Sequence, residues 1–145
     1  MRRPCVVAAL LHDVGSLVLS CKMPEAFCAA RTMAIERGCK VFEAEEMLLG
    51  TSHAEIGAYL LGLWGLPNIA VEVIAHHHRP ERIPHAGFDS TVAVFVADLL
   101  DEELEAHPQD AAGIEMEEPV RKRLETLGVL PRYAEFRELA MQARG

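Results

Sequence analysis

The stretch that decides the fold is VVAALLHDVGSLVLS, residues 6–20. Thirteen of its fifteen positions are apolar, Gly or Ser; the other two, His12 and Asp13, sit side by side in the middle. The run is long enough for a helix of about four turns. It is apolar nearly all round, which predicts a helix buried in a globular core, and it is too short to span a bilayer. An ionised Asp in such surroundings is costly unless it is paired or bound to a metal. The reading of the whole chain turns on what satisfies His12 and Asp13.

Working outward, nearly every segment has helical periodicity and none alternates as a strand. The first helix is expected from Pro4 to about Ser20, and Pro24 opens a second over residues 25–37 that Gly38 ends. A third covers residues 41–49 and stops at Gly50. Ser52 and Glu55 fit a capping box at the start of a helix reaching Trp64. Another helix spans residues 68–77 and closes before Pro80. Residues 79–89 read as a loop, and Asp89 or Ser90 caps a strongly apolar helix over residues 91–104. Residues 107–118 are acidic and irregular, and helices over residues 119–127 and 132–144 close the chain. The expected fold is all-α, a helical bundle of roughly seven or eight helices forming a single domain over residues 1–145.

The 145 residues are half hydrophobic and only 6% aromatic, so the core is built mainly from Leu, Val, Ile and Ala. A net charge of −8 without a basic stripe argues against nucleic acid, and weakly against an anionic membrane surface. Four cysteines without CxxC spacing, and no signal peptide, fit a cytoplasmic setting with free thiols.

Four apolar helices each carry imidazole or carboxylate on the inward side. His53 begins the face continued by Ile56, Gly57, Leu60 and Trp64. His77 falls four residues after Val73, and His78 four after Ile74; His76 is displaced from that face. Asp98 lies three after Phe95 and four after Val94. Alone, each has an ordinary reading: a capping or core histidine, a polar helix end, a paired core carboxylate. Together, in the order His-Asp, His, His-His, Asp, they suit divalent metal, and six inward ligands are enough for two ions sharing a carboxylate.

That order carries a resemblance. LLHDVGSLVL (residues 10–19) resembles the HDIGK helix of the HD superfamily. SHAEIGAYLLGLWGLP (52–67) followed by VIAHHHRPE (73–81) resembles the HDOD branch, and VFVADLL (94–100) is similar to its next helix. The resemblance covers about residues 8–100. It implies an HD-domain-like bundle with His12, Asp13, His53, His77, His78 and Asp98 as metal ligands. It implies one or two divalent ions, Fe, Mn, Zn or Mg, and a metal-bound water near Asp13.

HDOD domains are bacterial signalling modules related to the HD-GYP cyclic di-GMP phosphodiesterases. The resemblance therefore implies a regulatory, protein-binding role with signalling proteins or a receiver domain as partners. The alternative is a metal-dependent phosphohydrolase acting on a nucleotide, cyclic dinucleotide or other phosphoester, with Arg79 and Arg82 contacting phosphate. A helical interaction fragment, its polar residues merely paired with one another, is the third reading. Three departures favour regulation: Ser16 stands where the HDIGK lysine would, no GYP follows the paired histidines, and the HD helix begins almost at Met1. The family also places a helical block ahead of the HD helix. The chain is thus expected to be the C-terminal part of a larger domain, with homo-oligomerisation covering the apolar surface left bare.

Overall fold

The computed structural model describes residues 2–84, 87–106 and 116–144. Among them are nine α-helices and no strand: α1 (Arg2–Leu11), α2 (Val14–Lys22), α3 (Pro24–Arg37), α4 (Val41–Leu49), α5 (His53–Leu63), α6 (Asn68–His76), α7 (Ser90–Ala106), α8 (Glu118–Thr126) and α9 (Tyr133–Arg144), with short 3-10 turns at Pro80–Arg82 and Leu130–Arg132. The fold is all-α, as its periodicity requires. Most of the irregular acidic segment expected at 107–118 lies outside the described residues. The chain forms two compact units, residues 1–80 and 81–145.

In the first unit α2 packs on α5, α5 on α6, α6 on α1, and α3 on both α2 and α4. Leu19, Leu61, Val73 and Ile74 are buried between them, and Ala30, Ala34 and Ala44 let α3 and α4 close together. Pro24 opens α3 and Gly38 ends it with a left-handed C-cap, φ 62°.

The tightest point is where α2 crosses α5. A Cβ on Gly15 would lie 1.9 Å from the His53 carbonyl oxygen and 2.9 Å from Gly57 N. Only two glycines allow that approach. It puts Asp13, two residues before Gly15, against the first turn of α5.

Two sequence expectations are corrected here. The expected single helix over residues 6–20 is broken: His12 and Asp13 form a turn between α1 and α2. Nor is it buried all round, since Val6, Leu10 and Leu17 are exposed, Leu10 by 78%. α1 and α2 lie at the margin of their unit and use one side each for packing. An apolar stretch reports that its sides avoid water, not what covers them. By length and mean hydropathy (1.6), Cys5–Lys22 would also pass as a membrane span; its halves instead pack on α6 and α5, with His12 and Asp13 between them.

The Ser52 capping box is also absent. Ser52 makes no side-chain cap bond, and Glu55 accepts the Thr51 hydroxyl at 2.8 Å. The first N–H of α5, which an N-cap side chain does not reach, goes to Glu45 of α4.

The second unit is built on α7, whose Val92, Phe95, Val96 and Leu100 form a core with Leu124, Val129 and Tyr133. Asp89 caps α7, its Oδ1 accepting N–H bonds from Thr91 and Val92 at 2.9 and 3.0 Å. Glu103 accepts from Tyr133 Oη and Arg137 Nε, pinning α9 to α7.

The glycine crossing yields a paired prediction. Gly15→Ala must push backbone apart and should destabilise by about 3 kcal/mol, lowering the melting temperature by roughly 10 °C. Gly62→Ala, on the same helix α5 with nothing nearer than Val71 at 3.9 Å, should leave stability unchanged or raise it by up to ~1 kcal/mol. Thermal denaturation followed by circular dichroism measures both, and similar melting points for the two variants would refute the close crossing.

Candidate metal centre

Each side chain of the site is delivered by a helix end. Asp13 occupies the N-cap position of α2 without capping it, so its carboxylate is available elsewhere. His53 is the first residue of α5, and His77 is the C-cap of α6 with His78 following. One carboxylate oxygen of Asp13 lies 3.3 Å from His53 Nε2 and 3.9 Å from His77 Nε2; the other lies 3.4 Å from His12 Nε2. The Nε2 atoms of His53 and His78 are 2.8 Å apart. Ligand atoms of Asp13, His53, His77 and His78 all lie within 4.8 Å of one another. His77 is fully buried, whereas the Asp13 side chain is 56% exposed, so the cluster opens to solvent on its carboxylate side.

The far nitrogens of three rings are anchored. His12 Nδ1 lies 2.7 Å from the Ala9 carbonyl, and His77 Nδ1 2.7 Å from the Ile74 carbonyl. A carbonyl oxygen can only accept, so both Nδ1 atoms carry a proton and each ring turns its Nε2 edge toward Asp13. His53 Nδ1 donates in the same way to Glu45 Oε2 at 2.7 Å. His78 is held differently, its ring stacked on Phe42 at 4.4 Å and 12°.

Ring nitrogens and a carboxylate brought this close together need positive charge among them. Without a metal, a proton on His53 supplies it. Burial disfavours its imidazolium, but hydrogen bonds and charges from Asp13 and Glu45 outweigh this and raise the pKa to about 9. The hydrogen bond from His53, aided by the His12 and His77 rings, overcomes burial in turn and holds Asp13 down at about 2.

The donor set fits a divalent cation: neutral imidazole nitrogens with anchored backs and one carboxylate. The 2.8, 3.3 and 3.9 Å separations bracket the ~3.4 Å spacing of donors ~2.1 Å from one tetrahedral ion.

Against this geometry the similarities can be placed. A family profile described as "HDOD domain" matches residues 2–80, more than half of the chain. The chain belongs to the HDOD family. It is 30% identical, with a TM-score of 0.62, to the crystal structure of an HDOD domain protein of unknown function from Geobacter sulfurreducens; 90% of this chain covers 43% of that one. It is also 31% identical over 80 residues to an uncharacterized protein of Treponema pallidum (strain Nichols), covering 55% of this chain and 15% of that protein. The chain thus spans less than half the length of either relative.

Of the six residues expected as ligands, the HDOD unit gathers four within one group: Asp13, His53, His77 and His78. His12 adjoins it, facing the second oxygen of Asp13, with its ring 5.0 Å from that of His77. Asp98 belongs to the second unit, half-buried on α7. Arg79 is engaged by both oxygens of Glu46 at 2.8 and 3.0 Å and lies over Phe42. Arg82 is exposed in the second unit.

Glu45 escaped the sequence reading. It lies within an acidic run on α4, which reads as a solvated face. Its position, three after Phe42 and four after Val41, was the available sign that it points inward.

The pKa shifts fix the pH response of the metal-free domain. His53 titrates above its ordinary 6.5, so its contribution to stability is complete below that pH and is lost as pH rises through about 9. Asp13 titrates below its ordinary 3.8, so its contribution is complete above that pH and is lost as pH falls through about 2. In chelator, the melting temperature should fall between pH 6.5 and 9.5, and His53→Gln should flatten that slope. An equal alkaline slope in His53→Gln would contradict the assignment.

Proposed function

We propose that this HDOD domain is a bacterial cytoplasmic signal-transduction module that acts by binding partner proteins and holds one divalent cation at Asp13, His53, His77 and His78. The observation that carries the metal reading is the convergence of four donor atoms, with His53 and His77 anchored through Nδ1 and His78 stacked on Phe42. Such a cation would tie the α1–α2 turn, the start of α5 and the end of α6 together. Three nitrogens and one oxygen favour Zn or Fe over Mg, which prefers an all-oxygen shell. Exposed Val6, Leu10 and Leu17 support docking of signalling proteins, or self-association, on the α1–α2 side.

A regulatory role is favoured over phosphoester hydrolysis by the handling of charge. Ser16 brings no cation beside Asp13, and Arg79 is committed to Glu46. The phosphohydrolase reading keeps one supporting observation, the solvent-open side at Asp13, through which a phosphorylated small molecule and a water could reach the cation.

The dialysed protein should bind one Zn²⁺ or Co²⁺ per chain and ignore millimolar Mg²⁺. At pH 7 binding should release about one proton, the one His53 otherwise keeps. Asp13→Asn combined with His53→Gln should abolish binding. Isothermal titration in buffers of different ionisation enthalpy reads stoichiometry and proton release together. Absence of saturable binding at micromolar metal would sink the metal reading. Mn²⁺-dependent turnover of a generic phosphodiester, lost in Asp13→Ala, would replace regulation with catalysis.

A further inference from the structure

Glu45 is a fully buried carboxylate whose contacts are lopsided. Its Oε2 accepts two bonds from one residue, the His53 backbone N–H at 2.8 Å and His53 Nδ1–H at 2.7 Å. Its Oε1 is buried without a hydrogen-bond partner. As a helix cap this is a costly arrangement, since a buried charge serves the first N–H of α5 while Ser52, at the N-cap, makes no side-chain cap bond. A buried negative charge makes sense only if positive charge lies within reach. The path to it runs through the imidazole, for the opposite edge of the same ring, Nε2, faces Asp13 and His78.

We propose that Glu45 is the positioning residue of the cation site: it locks His53 into the orientation and the Nδ1–H form that present Nε2 to the cation, and its charge makes that nitrogen a stronger donor. The inference rests on the metal reading above and deepens it, because it moves one determinant of affinity onto α4, which supplies none of the four ligands. Phe42, one turn earlier on α4, stacks on His78, so the same helix also steadies a second ligand ring. Outer partners of ligand histidines commonly change metal affinity by about 10–100-fold when removed.

The test uses Co²⁺ titration and ring-nitrogen NMR on wild type, Glu45→Gln and Glu45→Ala. The amide oxygen of Glu45→Gln can still accept both His53 bonds, so that variant removes charge and keeps shape. Glu45→Ala should weaken Co²⁺ binding by about 10–100-fold and alter the visible spectrum of the complex, with Glu45→Gln in between. In metal-free wild type, His53 should show a slowly exchanging, downfield Nδ1 proton. Glu45→Gln should retain it at a higher field, and Glu45→Ala should lose it.

Folded Glu45→Ala that binds Co²⁺ within twofold of wild type with an unchanged spectrum overturns the proposal. Should Glu45→Ala not fold, Glu45→Gln decides: affinity and Nδ1 proton both identical to wild type overturn it. If wild type binds no Co²⁺, the metal reading fails. The Nδ1 proton then still decides whether Glu45 orients His53, and its absence from metal-free wild type overturns that as well.

Discussion

The first unit depends on a contact between two glycines. Gly15 on α2 and Gly57 on α5 bring the two backbones so close that no side chain fits between them. The site is a consequence of that closeness. Asp13 precedes Gly15 by two residues and His53 precedes Gly57 by four, so a crossing locked at the glycines carries the carboxylate to within 3.3 Å of His53 Nε2. Larger residues at the crossing would separate the helices and open the cluster before any ligand was altered. The small residues here serve the polar site as much as the packing.

A second constraint is charge. Two carboxylates, Asp13 and Glu45, flank His53 on opposite edges of its ring, and Glu45 is wholly out of water. Such an arrangement is stable only when positive charge occupies the middle. A proton on His53 does this at neutral pH, and a divalent cation would do it with a larger charge. Proton and cation compete for the same place, which couples occupancy of the site to pH. Just beyond the end of α6, Arg79 is clamped to Glu46 of α4.

Much of this was legible in the sequence because the chain is strongly punctuated. Pro24, Gly38, Gly50 and Gly65-Leu66-Pro67 mark helix limits that local chemistry alone enforces, and α3, α4 and α9 fall within a residue of expectation. Inward placement of His53 and His77 followed from helical spacing. The errors share one cause: tertiary partners are invisible to local pattern. Residues 12 and 13 interrupt a helix because their side chains are drawn to rings on α5 and α6. Ser52 makes no side-chain cap bond, and the first N–H of α5 is taken instead by Glu45 from another helix.

The balance between regulation and catalysis can be argued from the same residues. A phosphohydrolase needs a metal, a water and cations that hold phosphate charge in the transition state. This unit offers donors for the first and, at Asp13, an opening for the second. The third is where it differs. Position 16 carries a hydroxyl on the helix after Asp13, and the guanidinium nearest in sequence to the paired histidines faces a bidentate carboxylate and the ring of Phe42. To serve a phosphate, Arg79 would have to leave Glu46 and uncover Phe42, the ring that supports His78. Recruiting the arginine would loosen a candidate ligand. In a signalling module that conflict disappears, because Arg79, Phe42 and His78 then act together to brace the end of α6 against α4.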